Sequence, residues 1–294
     1  MTDRKHLLSG RTAVVTGGAR GLGKAVAREL AARGARVALL GLEKDELARV
    51  AGTLPAPSGH WHVDVTDDAA MARVADEVRR RLGPASIVVA NAGVAEGGPF
   101  ADSDPESWRR VIEVNLIGSA VTARVFLPQL LDTGGHYLQI ASLASIGAAP
   151  MMSAYCASKS GVEALCHSLR AEVAPRGVGV GIAYLNWIDT DMIRDADRHP
   201  VLRELRAHMP PPARRTFSAD DVAARLVRAL ERRRSAVYVP GWLRLVQLGR
   251  ASLPPVVARL SRRELPRLEA EDALGPTGPL GEGGRAGHAA GTRT

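Results

Sequence analysis

The chain has only two cysteines, Cys156 and Cys166, among 294 residues. That excludes a disulfide framework and a cysteine-rich zinc site, and a reduced, cytoplasmic setting is the expectation. Lysine is almost as scarce, with Lys5, Lys24, Lys44 and Lys159 among 39 basic residues, so the net charge of +8 rests on arginine. No zinc-finger spacing, aromatic RNP strand or basic zipper accompanies that charge, and nucleic acid is not an expected partner. The opening MTDRKHLLSG has no apolar core of a secretory signal. No uncharged apolar run reaches the roughly 18 residues of a membrane span. What remains, 46 % apolar and 24 % charged residues, is the composition of a globular protein long enough to bury a core without staples.

Over residues 1–190, short β-branched runs alternate with longer amphipathic stretches. The runs are Thr12–Thr16, Arg36–Leu40, His60–Val65, Ser86–Asn91, His136–Ser142 and Val178–Leu185. Between them the apolar spacing predicts helices over Leu22–Arg33, Lys44–Thr53, Asp67–Leu82, Pro105–Leu131 and Ser153–Pro175. This alternation predicts an α/β fold with a doubly wound parallel sheet. A helix over Ser218–Arg233, with Ser218 as N-cap, and a last strand over Ala236–Val239 complete a single catalytic domain, residues 1–240. Residues 241–272 form a basic amphipathic extension. The last 22 residues hold seven glycines and two prolines and are expected to be disordered.

The first strand runs into Thr16-Gly17-Gly18-Ala19-Arg20-Gly21-Leu22-Gly23, and a helix follows. Glycines there let the backbone turn tightly and approach a pyrophosphate, while the helix N-terminus offers free N–H groups. The second strand ends on Gly41-Leu42, with no acid before Glu43. A carboxylate at that place would take the ribose 2′-OH and repel a 2′-phosphate. Its absence, with Arg20 as a bidentate phosphate partner, favours NADP(H) over NAD(H).

The spacing Thr-Gly-x-x-x-Gly-x-Gly resembles the short, single-domain branch of the short-chain dehydrogenase/reductase family. Asp64-Val65, Asn91-Ala92-Gly93, Asn115, Ser142 and Tyr155-x-x-x-Lys159 follow in that family's order, so the resemblance spans about residues 8–240. It implies that Asp64 and Val65 contact adenine and that Thr190 contacts the nicotinamide carboxamide, with Ile188 beside it. It also implies that Lys159 holds the nicotinamide ribose, that Asn115 holds a relay water, and that copies assemble as a homodimer or homotetramer through the two long middle helices. One departure is Leu185-Asn186 where the family has Pro-Gly. Asparagine tolerates positive φ, which would keep the turn.

Tyr155 and Lys159 stand four apart on a helix and share a face. A neighbouring ammonium favours the phenolate and lowers a tyrosine pKa from near 10. Tyr155 is therefore the candidate general acid and base, and Ser142 the donor to the substrate oxygen. The expected reaction interconverts a carbonyl and a secondary alcohol. Leu143, Ala144, Met151, Met152, Trp187 and Ile193 are the expected pocket lining, which suits a hydrophobic small molecule. The arginine-rich segment 194–215 could steer an anionic substrate but reads more simply as a solvated lid. His60, His62 and Asp64 alternate on one strand face, but Asp64 has its use at adenine, and no metal is expected. The alternatives are a dinucleotide-binding scaffold without turnover and a peripheral membrane protein. The extension, with Trp242, Leu243, Leu245, Val246, Leu248, Leu253, Val256, Val257 and Leu260 among arginines, could pack on the body, meet a second copy, or lie on an anionic membrane. Pro254-Pro255 would break it as one helix.

Overall fold

The computed structural model describes residues 8–147, 149–270 and 274–291. The strands are β1 (Thr12–Thr16), β2 (Arg36–Gly41), β3 (Ser58–His62), β4 (Ala85–Ala90), β5 (Glu96–Gly97), β6 (His136–Ile140), β7 (Gly179–Leu185), β8 (Ala236–Val239) and β9 (Gly278–Pro279). The helices of the main body are α1 (Gly21–Ala32), α2 (Lys44–Gly52), α3 (Asp68–Leu82), α4 (Pro105–Ile112), α5 (Gly118–Thr133), α6 (Ser153–Val173), α7 (Asp191–Ala196), α8 (Pro200–Ala207) and α9 (Ala219–Glu231). Three more, α10 (Leu243–Leu248), α11 (Leu253–Ala270) and α12 (Gly281–Gly291), follow the last strand of the main sheet.

Seven strands pair in the order β3-β2-β1-β4-β6-β7-β8, all parallel. Strand β1 is buried at all five residues and β4 at all six, as strands covered on both faces must be. One face packs on α3, α5 and α6 through Met71, Phe126, Leu130 and Cys166. The other packs on α1, α2 and α9 through Leu30, Leu47, Leu226 and Leu230. The order reverses between β1 and β4, which opens a crevice beyond their carboxyl ends.

Local chemistry sets the boundaries. Asp67 and Asp104 cap α3 and α4, accepting from the Ala70 and Ser107 amides at 2.8 and 2.9 Å. Ser218 holds the N-cap position of α9 but makes no side-chain cap bond. The third strand comes out as Ser58–His62, earlier than the alternating His60–Val65 suggested. The long middle helix is interrupted by a π turn over Glu113–Ile117. Within the stretch Pro105–Thr133, the most apolar 18-residue window reaches a mean hydropathy of 1.4, and half of that window is buried in the protein. The stretch meets the length and hydropathy of a span although Glu113 and Arg124 interrupt the apolar run.

The C-terminal region departs from its sequence reading. Residues 274–291, expected to be disordered, carry β9 and α12 instead. Strand β9 pairs antiparallel with β5, and Leu280 is 1 % exposed in an apolar cluster with Ala95, Leu202 and Leu268. That burial and the β5 pairing supply the ordering energy that composition did not reveal. Residues 273 and 292–294 of that tail lie outside the described residues. The break in the extension falls at 249–252, and Pro254 and Pro255 sit in the first turn of α11, where no intrahelical N–H is lost.

At the head of β6, His136 is 1 % exposed and both ring nitrogens lack a hydrogen-bond partner. Burial, with Arg233, Arg170 and Arg11 around it, lowers its pKa to about 4. The unfolded chain then binds a proton that the native state refuses between pH 6.5 and about 4. Stability should fall by about 2–3 kcal/mol as pH drops through that window. Urea unfolding at pH 7 and pH 4.5 should show this loss, and His136→Gln should reduce the difference between the two.

Candidate active site

The crevice between β1 and β4 is held open by a small set of hydrogen bonds. The Thr16 hydroxyl accepts from the Asn91 and Ala92 amides at 3.0 and 3.1 Å. Asn91 Nδ2 donates in turn to the Thr16 and Gly17 carbonyls at 3.0 and 3.2 Å. A Cβ at Gly23 would lie 2.0 Å from the Gly17 carbonyl oxygen, so only glycine lets α1 begin this close to the turn. Gly17 itself has φ of +62°. No side chain caps the start of α1, which leaves its first amides for an anion. These features fit a dinucleotide pyrophosphate.

One cleft brings together nearly all of the expected residues. Gly17, Arg20, Gly21, Leu22, Gly41, Asp64, Val65, Asn91, Ala92, Gly93, Ser142, Tyr155, Lys159, Ile188 and Thr190 line its wall. Thr16 and Gly23 stand behind that wall as supports, and Asn115 behind Gly93. Thr190 lies against the glycine loop, its Cγ2 3.0 Å from where a Cβ on Gly21 would be.

Arg20 does not stand free in this cleft. Its Nε meets Glu43 Oε1 at 3.2 Å, and its Nη1 pairs with Glu282 of α12. Asp64 is likewise engaged. Burial pushes its carboxyl up, but bonds from the Thr66 amide and hydroxyl and from Arg110 outweigh this and hold the pKa below the usual range. Asp64 is thus an ionised partner of Arg110, and Arg110 also donates to the Gly287 carbonyl at 2.9 Å.

At the other end, Ser142 starts a 3₁₀ turn over Leu143–Ser145, its hydroxyl accepting from the Ala144 amide at 3.2 Å. Lys159 is 4 % exposed, its Nζ 5.5 Å from the Tyr155 ring centre and donating to the Ile140 carbonyl at 3.2 Å. Burial lowers its pKa to about 8. The same burial raises the Tyr155 phenol, and a hydrogen bond with Ser142 offsets only part of that. This corrects the expectation of a lowered tyrosine pKa: desolvation penalises the phenolate more than the neighbours favour it. Asn115 is fully buried on the π turn. Its Oδ1 accepts from the Val94 amide at 2.8 Å, and its Nδ2 donates to the Val94 carbonyl and the Ser158 hydroxyl at 2.9 and 3.0 Å. It ties the end of β4 to α6 beside Lys159. A Cβ on Gly93 would come within 3.2 Å of Asn115 Oδ1 and 3.6 Å of Lys159 Nζ.

Next to Tyr155 lies an apolar cluster of Met151, Met152, Met192, Leu202, Leu265, Leu268 and Leu280. Met151 has φ of +65°, an uncommon backbone state for a residue with a side chain. Of the expected lining, Met151 and Met152 are here and Ile193 lines the cleft. Leu143 packs into the main core instead, and Trp187 lies under the Arg206 guanidinium at 5.5 Å. Asn186 is not among the positive-φ residues. Its Nδ2 donates to the Ala213 carbonyl at 2.6 Å, so a side-chain bond holds the turn that Pro-Gly would shape. Met192, Leu265, Leu268 and Leu280 were missed because they come from three separate segments: Met192 from α7, Leu265 and Leu268 from the extension and Leu280 from the tail. For Leu265 and Leu268, the i, i+3 spacing on one helix face was the available signal.

Comparison with known proteins agrees with this geometry. The family model for short chain dehydrogenases matches residues 11–200. Among curated relatives, the chain is similar to a 2-dehydro-3-deoxy-L-rhamnonate dehydrogenase (NAD(+)) of Sphingomonas sp. (strain SKA58), 39 % identical over 175 residues, or 58 % of this chain and 69 % of that protein. Among solved structures, it is similar to a short-chain dehydrogenase/reductase from Burkholderia phymatum in complex with NAD, with a TM-score of 0.71 and 30 % identity over 82 % of this chain and 93 % of the other. A metagenomic short-chain oxidoreductase in complex with NADP matches with a TM-score of 0.66 and 29 % identity over 79 % and 97 %. With the ordered motifs, the reversed sheet and the glycine loop in place, the chain belongs to the short-chain dehydrogenase/reductase family and is an NAD(P)-binding oxidoreductase.

Proposed function

We propose that the chain interconverts a secondary alcohol and its ketone on a hydrophobic small molecule in the cytoplasm, with Tyr155 as proton donor and acceptor. The observation that carries this reading is the convergence of Tyr155, Ser142 and Lys159 on one cleft wall, next to the methionine- and leucine-lined cluster. A bound nicotinamide dinucleotide supplies or takes up the hydride at the carbinol carbon. In reduction Tyr155 gives its phenolic proton to the substrate oxygen, and in oxidation it takes that proton back. The raised phenol is protonated at neutral pH, which suits the reductive direction. Ser142 donates to the same oxygen as charge develops. Lys159 would hold the nicotinamide-ribose hydroxyls, and Asn115, which fixes the backbone beside it, would hold the relay water.

The surroundings of Arg20 favour NAD(H), against the NADP(H) expected from the sequence. Glu43 turns back onto the arginine, which places at the end of β2 the carboxylate that seemed to be missing. The resemblance to the Sphingomonas relative, named for NAD(+), supports this choice. By the family resemblance, copies of the chain would pair through the two long middle helices, α4 with α5 and α6, as a homodimer or homotetramer.

The extension supports a second reading. Leu243, Leu253, Leu265 and Leu268 turn inward, and Arg250 reaches the buried Glu163 at 3.1 Å. The outward positions Leu245, Leu248, Val256 and Leu260 are 52–79 % exposed. They lie among Arg244, Arg259, Arg262 and Arg263, a combination that suits an anionic membrane surface.

Three outcomes are expected. Tyr155→Phe should lower kcat for alcohol oxidation by about 10²–10⁴-fold and leave dinucleotide binding, read by fluorescence titration, unchanged. Undiminished turnover would reject the role of Tyr155, and an intact cellular role in this variant would favour the scaffold. Lys159→Met should abolish turnover yet stabilise the fold by about 1–3 kcal/mol at pH 7. Because the buried ammonium titrates near 8 and a free one near 10.4, that gain should fade as pH rises from 8 towards 10.5. Equal urea midpoints for variant and parent at pH 7 would contradict the cause assigned to the shift. Full-length protein should sediment with phosphatidylglycerol vesicles and not with phosphatidylcholine ones, and Leu248→Asp with Leu260→Asp should abolish this. Failure to sediment with either vesicle would reject the membrane reading.

A further inference from the structure

The chain beyond residue 273 returns to the cofactor cleft. Thr277 and Leu280 donate backbone bonds to the Gly97 and Ala95 carbonyls, both at 2.8 Å, and the Gly97 amide donates to the Thr277 hydroxyl at 2.8 Å. Asp195 of α7 then accepts from the Gly281 amide at 2.8 Å and from Arg285 Nη1 at 2.9 Å. Arg110 donates to the Gly287 carbonyl. A strap is thus fastened at three points along its length, on β5, α7 and α4.

Its composition follows from that path. Gly281 has φ of +72°, and a Cβ there would lie 2.9 Å from Met192 Cα. A Cβ at Gly287 would sit 3.2 Å from Val94 Cγ1. The glycines that made the tail read as disordered are what allow it to lie this close to the cleft wall. Leu280, Gly281, Glu282, Gly283, Gly284 and Gly287 line the cleft. With the strap in place its volume is about 250 Å³, just under the roughly 300–1,000 Å³ of small-molecule sites.

Glu282 is the strap's charged contribution to this site. Its carboxylate pairs with Arg20 Nη1 while Glu43 holds Arg20 Nε. The arginine that would receive a 2′-phosphate therefore faces two carboxylates, and the three side chains sum to a charge of −1. A 2′-hydroxyl can donate to such a cluster, whereas a 2′-phosphate, with about two negative charges, is repelled.

We propose that Glu282 is a cofactor-specificity residue, delivered by the C-terminal strap to the adenosine-ribose end of the cleft, where with Glu43 it selects against a 2′-phosphate. The proposal rests on the dinucleotide reading of the cleft and goes beyond the residues matched by the family model, which end at 200. Glu282 is half exposed, its side chain at 54 %, so water screens the repulsion and the effect is moderate.

The test is a fluorescence titration of full-length protein with NADH and NADPH, parent beside Glu282→Gln and Glu43→Gln. Glu282→Gln should tighten NADPH by roughly three- to tenfold while the NADH Kd moves less than twofold, and the effect should shrink at 0.5 M salt. An unchanged NADH/NADPH ratio overturns the proposal. Equal tightening of both cofactors also overturns it and makes the strap a plain steric block. Binding of neither cofactor by the parent rejects the dinucleotide reading itself, a result separate from any change in ratio.

Discussion

The bonds from the Asn91 and Ala92 amides to the Thr16 hydroxyl join the two strand ends between which the sheet order reverses. They continue, past the end of the ladder, the pairing that already holds β1 beside β4. Asn91 Nδ2 extends the junction into the glycine turn, and the turn sets where α1 begins. The close approach of Gly23 to the Gly17 carbonyl then brings uncapped helix amides to the cleft wall. The shape of the glycine-loop wall of the cleft is a consequence of backbone contacts that tolerate almost no added atoms.

Burial governs the chemistry at the other end of the cleft. The same desolvation that raises the Tyr155 phenol lowers the Lys159 ammonium to about 8. The two groups are therefore moved apart in proton affinity, so at neutral pH a neutral phenol stands beside a lysine that still carries most of its charge. Placing an ammonium where, among the described residues, only the Ile140 carbonyl receives it costs stability, and the π turn carrying Asn115 beside it is a further irregularity. Sites of this kind are where proteins depart from the most stable local arrangement. The positive φ of Met151, in the apolar cluster next to Tyr155, fits the same pattern.

The C-terminal fifth shows how sequence reading fails when a segment has no local periodicity of its own. The extension's apolar residues were visible, but not their division into an inward set that touches Gly147 and the methionine cluster and an outward set left 52–79 % exposed. In the strap the failure was larger. Seven glycines suggest a chain that cannot offset its ordering entropy, yet Leu280 and the β5 pairing supply anchors more than 170 residues from their partners. No windowed reading of composition sees contacts at that separation.

The sequence by itself determined the parallel α/β rhythm, the glycine loop, the Tyr155–Lys159 face and the order of the family's motifs, because each is local: a strand period, a turn chemistry, a helix spacing. It also placed Ser142 and Asp64 in the right cleft. Only the tertiary structure decided what those groups meet. Arg20 is paired with Glu43 and Glu282, Asp64 is tied to Arg110, and the Tyr155 phenol is raised and not lowered. Charge and proton affinity depend on neighbours brought in from distant parts of the chain and on how much water they exclude, and neither is encoded in the residues adjacent in sequence.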